Sequence, residues 1–120
     1  MKLPAEEKAR LEGLCAQFRR DLIETLHARQ TGHPGGSLSV CEILTTLYFE
    51  EMNVDPKDPQ MADRDRLVLC KGHAAPMLYR VLAEKGFFPV EEMATLRCFE
   101  TRLQGHPCPL ETPGVDAATG

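Results

Sequence analysis

Three of the four histidines follow a glycine: Gly32-His33-Pro34, Gly72-His73-Ala74 and Gly105-His106-Pro107. A neutral imidazole donates a hydrogen bond from one nitrogen and accepts at the other. The glycine before each one lets backbone or ligand approach closely. All three pairs fall in loops or at element ends, where ligand-binding groups collect in α/β proteins. One such pair alone is an ordinary turn carrying a polar surface side chain. Three of them in 120 residues give the pattern its weight. The fourth, His27, lies inside a helical pattern and shares none of this context.

The stretch "LVLCKGHAAPMLYRVL" is the most informative of the three contexts. A short apolar run enters Gly72-His73 and then the first turn of a helix. Backbone N–H groups at such a turn favour an anion such as phosphate, and His73 stands where it can donate to one. A tight turn that needs glycine only for its geometry explains the same residues equally well. Zinc is a further possibility, from three histidines and five cysteines. Spacings of 40 and 33 positions between the histidines match no compact zinc motif.

The elements that must position these groups follow from hydrophobic periodicity. Leu11, Leu14, Cys15, Phe18, Leu22 and Leu26 recur at helical spacing, which predicts a long helix from Pro4 to Arg29, stopped by Gly32 and Pro34. A second helix is expected from Ser39, where "SVCE" has the form of a capping box and Val40, Ile43, Leu44 and Leu47 form an apolar face. "RLVLC", residues 66–70, reads as a short buried strand. A third helix is expected over Ala75–Lys85, closed by Gly86, and a fourth over Val90–Phe99. Pro107, Pro109, Pro113 and Gly114 forbid regular structure from Gln104 onward.

Composition narrows the classes. The net charge is −4 and the apolar fraction is 42%, with no basic stripe of the kind that binds nucleic acid. No apolar run approaches the roughly 20 residues that span a bilayer, and "MKLPAEEKAR" lacks the apolar core of a signal peptide. Cys15, Cys41, Cys70, Cys98 and Cys108 are odd in number and contain no CxxC, which argues for reduced thiols in a cytoplasmic protein.

With these residues in view, "TGHPGGSLSVCEILTTLYF", "DRDRLVLCKGHAAPMLYRVLAEKGFF" and "LQGHPCPLETPGVDAATG" resemble the N-terminal region of transketolase. The resemblance is closest to the N-terminal subunit of split transketolases. The related deoxyxylulose phosphate synthases share the first block but not the second. The family fold is α/β, a thiamine diphosphate-binding fold, while residues 1–120 themselves predict a mostly α segment of about four helices and one short strand.

The resemblance implies an enzyme that moves a two-carbon ketol unit from a ketose phosphate to an aldose phosphate. Its cofactors would be thiamine diphosphate and Mg²⁺ or another divalent cation. His73 and Gly120 would contact the cofactor, His73 at its diphosphate. His33 and His106 would line the substrate channel, where a hinge held by glycine and proline limits the freedom lost on binding. Cys70 and Ala118 stand where the family pattern has serine. The family's metal-binding Gly-Asp-Gly segment and the glutamate that activates the cofactor are absent from this sequence.

No catalytic or metal-binding residue is therefore assigned within residues 1–120, which read as the N-terminal part of the domain, incomplete at its C-terminus. The chain is expected to be inactive alone. It would be completed by a C-terminal transketolase subunit or the remainder of a longer chain, in a homodimer or heterotetramer. Two other readings follow from the residues: a non-catalytic module that binds partners or phosphorylated ligands, and a small metal-binding protein. A chain with one unpaired strand is also expected to leave Leu78, Val81 and Leu82 only partly buried, and so to self-associate.

Overall fold

The computed structural model describes residues 3–120. Helix α1 spans Ala5–Arg29, with Glu6 and Glu7 at its positive end and His27 and Arg29 at its negative end. Its buried stripe is Leu11, Cys15, Phe18, Leu22 and Leu26. Phe18 and Leu22 are fully buried, which stabilises the fold by about 1.5–3 kcal/mol each. The helix ends at Gln30, which takes the left-handed conformation at φ 52°. Gly32 has another role: its φ of 104° favours glycine, and a Cβ there would lie 2.5 Å from Leu26 Cδ2 where the chain folds back on the helix.

The second helix differs from expectation. It begins at Pro34, and the chain forms two short helices, α2 (Pro34–Ser39) and α3 (Cys41–Thr46), with a break at Val40. The Ser39–Glu42 capping box does not form. Ser39 Oγ donates instead to the Gly36 carbonyl at 3.1 Å, and the Glu42 carboxylate pairs with Arg19. Serine bonding back into the preceding turn competes with the helix ladder, and the axis breaks just after it. Residues Leu47–Glu51 then widen into a π-helical turn, closed by the Met52 N–H donating to the Leu47 carbonyl at 2.7 Å. Val40 and Leu44 reach the core as expected, whereas Ile43 stays exposed.

Helix α4 spans Ala75–Lys85 and is the centre of the molecule. Every residue from Ala75 to Ala83 is buried, because α1, α2, α3 and the turn at Val90–Thr95 all pack against it. Leu78, Val81 and Leu82 are buried, contrary to the expectation that they would be partly exposed. Phe87, Phe88, Leu96, Leu103 and Val115, from segments that carry no α-helix, complete the core around them. Gly86 ends α4 at φ 112°, as its position predicts.

Two further expectations are corrected. Residues 66–70 form no strand, and none is present among the described residues. A strand needs a neighbour for its N–H and C=O groups. Here the Leu67 N–H donates to Asp116 Oδ2 at 2.9 Å instead, while Arg64 Nε holds the other carboxylate oxygen at 3.1 Å. The expected helix from Val90 to Phe99 is a 3₁₀ turn ending at Thr95. Thr95 Oγ1 donates back to the Glu92 carbonyl at 2.7 Å, and Leu96 leaves the helical region at ψ 122°. Residues 104–120 carry no helix or strand, as the prolines require.

All five cysteines are free thiols. Burial, followed by the neighbouring Cys15 thiol, pushes Cys41 up to about 12. The thiolate is the reactive form. At mildly alkaline pH, iodoacetamide is therefore expected to label exposed Cys70 first and buried Cys15 and Cys41 last. Peptide mass spectrometry over a time course measures the order. Equal rates at Cys41 and Cys70 would mean that α3 opens freely from α1.

Candidate functional site

The three glycine-flanked histidines come from three separate segments. His33 occupies the residue before α2, in extended conformation, where Pro34 fixes the first turn. His73 is the middle residue of a 3₁₀ turn, Gly72–Ala74, that runs directly into α4. His106 lies in the loop after Leu103. The fold brings all three into one row with His73 at its centre. The His33 and His73 rings are 5.2 Å apart, edge to face at 84°. His73 and His106 are 5.1 Å apart at 79°. All three residues are exposed, so the row lies at the surface.

Gly120 completes this group. Its φ is +93°, which favours glycine, and a Cβ there would lie 2.9 Å from His106 Nδ1. Gly72 meets the same segment from the other side: a Cβ on it would lie 2.8 Å from the Thr119 carbonyl and 3.0 Å from Gly120 Cα. Residues 119–120 thus lie directly on the His73 turn. The Thr119 hydroxyl is buried there without a hydrogen-bond partner, although a polar group in that position normally has one.

Two neighbours were not anticipated from the sequence. Lys71 Nζ donates to Ser39 Oγ at 2.8 Å, which ties the residue two before His73 to the end of α2. Tyr79, fully buried on α4, donates its hydroxyl to the Gln104 carbonyl at 2.6 Å and approaches the His106 carbonyl at 3.3 Å. Lys71 carries a recognisable signal, a cation beside a Gly-His pair at a helix start. Tyr79 carries none, since its partners lie 25 and 27 positions away.

The site is rich in donors. Three imidazoles, one ammonium group and the turn before α4 suit an oxygen-rich, anionic ligand. Glycine at 72 and 120 lets the backbone of residues 119–120 pack between the His73 turn and the His106 ring, beside donors whose chemistry fits a diphosphate group. A metal ion does not fit in the same way: among the described residues, no group of three or more histidine, cysteine or carboxylate side chains is placed to hold one. The histidine–cysteine zinc site considered from the sequence has no counterpart there. A groove of about 480 Å³ between α1 and α3, lined by Leu11, Cys15, Arg19 and Thr46 among others, contains none of the three histidines. Among the described residues no helix is long and apolar enough to cross a membrane.

Fold and site together define a mostly helical segment with a donor-rich, anion-favouring surface. Residues 13–120 match the family described as transketolase, thiamine diphosphate binding domain, and the chain belongs to that family. It is 43% identical over 116 residues to the 6-deoxy-6-sulfo-D-fructose transketolase subunit SqwG of Clostridium sp. (strain MSTE9), covering 97% of this chain and 42% of that protein. It is 43% identical over 110 residues to an apulose-4-phosphate transketolase subunit of Phocaeicola vulgatus, covering 92% of this chain and 39% of that protein. The crystal structure of Pichia stipitis transketolase with sedoheptulose-7-phosphate superposes with a TM-score of 0.86 at 31% identity, over 92% of this chain and 16% of that one. The chain thus spans about two fifths of the two curated relatives, and its mostly helical fold is part of the larger α/β architecture of the solved transketolase.

Proposed function

We propose that this chain supplies the diphosphate-facing half of a transketolase active site, working with a partner subunit or further chain. The observation that carries this is the row of His33, His73 and His106 against Gly120. His73 donates to the cofactor diphosphate, and the backbone at Gly120 lies alongside it. His33 and His106, on either side, hydrogen-bond the hydroxyls and carbonyl of a sugar phosphate. Thiamine diphosphate held here would supply the carbon nucleophile needed to move a two-carbon ketol unit between a ketose phosphate and an aldose phosphate. A divalent cation such as Mg²⁺ is held by groups outside residues 1–120. The open face of the histidine row is closed by the partner, the protein works in the cytoplasm, and the chain alone is inactive.

The test uses the chain assembled with its C-terminal partner, with the unassembled chain as an inactive control. His73→Ala is expected to weaken cofactor affinity, because a lost hydrogen bond to a charged group costs about 1.5–3 kcal/mol, roughly ten- to a hundredfold. His33→Ala and His106→Ala are expected to lower turnover or sugar efficiency at saturating cofactor. Calorimetric titration and steady-state kinetics separate the two effects. If all three variants change stability alone, the histidines are turn residues and the proposal fails.

A further inference from the structure

We propose that Tyr79 is a positioning residue that sets the distance between the His73 and His106 imidazoles. The proposal rests on the reading of these histidines as ligand-facing groups. The Tyr79 hydroxyl reaches the Gln104 and His106 backbone carbonyls, with the Thr112 side chain beside it, so it acts on His106 through the loop that carries it and not through the ring.

The geometry is direct. The 3₁₀ turn holding His73 leads without interruption into α4, and Tyr79 lies within the first turns of that helix. A helix of this length is a rigid spacer, with about 1.5 Å rise per residue. Tyr79 is fully buried, with its hydroxyl reaching the 104–106 backbone, donating to the Gln104 carbonyl at 2.6 Å. One end of α4 therefore fixes His73, and a side chain further along the same helix fixes the loop of His106. Burial raises the Tyr79 phenol well above its ordinary range, so the hydroxyl stays protonated and remains a donor.

The rest of the loop is held by other means. Pro107 is buried and Gly105 lies against the Arg97 guanidinium, where a Cβ would stand 3.3 Å from Nε. Neither contact reaches the carbonyls at 104 and 106. Removing the hydroxyl takes away the donor that tethers the Gln104 carbonyl to α4; Gln104 is exposed, so water replaces it and the loop is released from the helix. The spacing of the two rings, which must be held closely for joint action on one ligand, is what changes.

The experiment compares Tyr79→Phe with the wild-type chain by nuclear magnetic resonance in the absence of cofactor. Ring-proton contacts between His73 and His106 report the spacing, and those between His33 and His73 are the internal reference. Tyr79→Phe is expected to lose the first contact and keep the second. Leu22→Ala, which destabilises the core from α1, is expected to keep both. Retention of both contacts in Tyr79→Phe, or loss of both, overturns the proposal, since the second pattern is general loosening.

Should Tyr79→Phe not fold, the wild-type chain still decides. A Tyr79 hydroxyl proton protected from exchange is expected, and a freely exchanging one overturns the proposal. Thiamine diphosphate takes no part in these measurements. A failure here leaves the cofactor assignment of His73 standing, and a failure of that assignment leaves the ring spacing as measured.

Discussion

Removing both carboxylates that face Arg80, in an Asp21→Ala and Glu84→Ala double variant, is expected to destabilise the chain by about 3–5 kcal/mol, the cost of leaving a buried charge unpaired. For a chain of this size that corresponds to a drop in melting temperature on the order of 10–20 °C. The Arg80 side chain is only 2% exposed, at the centre of the core helix α4. Its Nε and Nη2 donate to Asp21 Oδ2 at 3.0 and 2.8 Å, and Nη2 also pairs with Glu84 Oε1 at 3.0 Å. The guanidinium stands over the Phe18 ring at 5.0 Å, while Nη1 has no partner. The charge is therefore satisfied on one side only.

The size of the effect depends on which partner is removed. The two carboxylates are 31% and 32% exposed, so water can take over when the arginine is absent. Arg80→Met is accordingly expected to cost about 1 kcal/mol, since a well-packed apolar replacement for a buried ion is often near neutral. Asp21→Ala alone should fall between the two, because Glu84 still pairs with the guanidinium. Thermal and urea denaturation of the three variants measure the order. A Met variant less stable than the double alanine variant would show that Arg80 contributes mainly through its bonds to the surface.

The same residues show how far the sequence could be read. Helices α1 and α4 were legible because each follows from local information: a stripe at 11, 15, 18, 22 and 26, and a glycine C-cap at Gly86. Arg80 sits in an apolar run and looks like a solvated charge until Asp21, 59 positions away, is brought against it. Helix α2 was missed because Gly35 and Gly36 are poor helix formers, and only packing supports them there. Gly36 lies within van der Waals reach of Ala74, at 4.0 Å for an added Cβ. Leu67, Val68 and Leu69 have the apolar character of a strand, yet a strand needs a neighbour to pair with, and none is present among the described residues.

The candidate site divides along the same line. Its histidines were visible because each carries its own local mark, a preceding glycine. Their convergence was not, because segments near 33, 73 and 106 meet only in the folded chain. The Lys71–Ser39 bond spans 32 positions and the Tyr79–Gln104 bond 25, and neither distance leaves a periodic trace in the sequence.

Replacing Gly72 by valine is expected to disrupt this convergence more than any other single change at the site. The residue has no unusual backbone conformation, so the effect is one of space alone. A Cβ would meet the Thr119 carbonyl at 2.8 Å, Gly120 Cα at 3.0 Å and Gly120 N at 3.1 Å. These are backbone atoms, which cannot rotate away as a flexible side chain would. Overpacking of this kind costs about 1–3 kcal/mol where the neighbours are fixed. Where residues 119–120 yield instead, Gly120 leaves the His106 ring, and its packing on the His73 turn is lost. Either outcome damages the site, and hydrogen exchange at Gly120, with the His73–His106 ring contact, distinguishes them. Gly13→Ala is the matched control. It lies in α1 with nothing within 4 Å of an added Cβ. That variant is expected to stabilise the helix by about 0.5–1 kcal/mol and to leave the histidine row unchanged. A Gly72→Val chain with wild-type stability and an intact ring contact would show that residues 119–120 do not pack on the His73 turn.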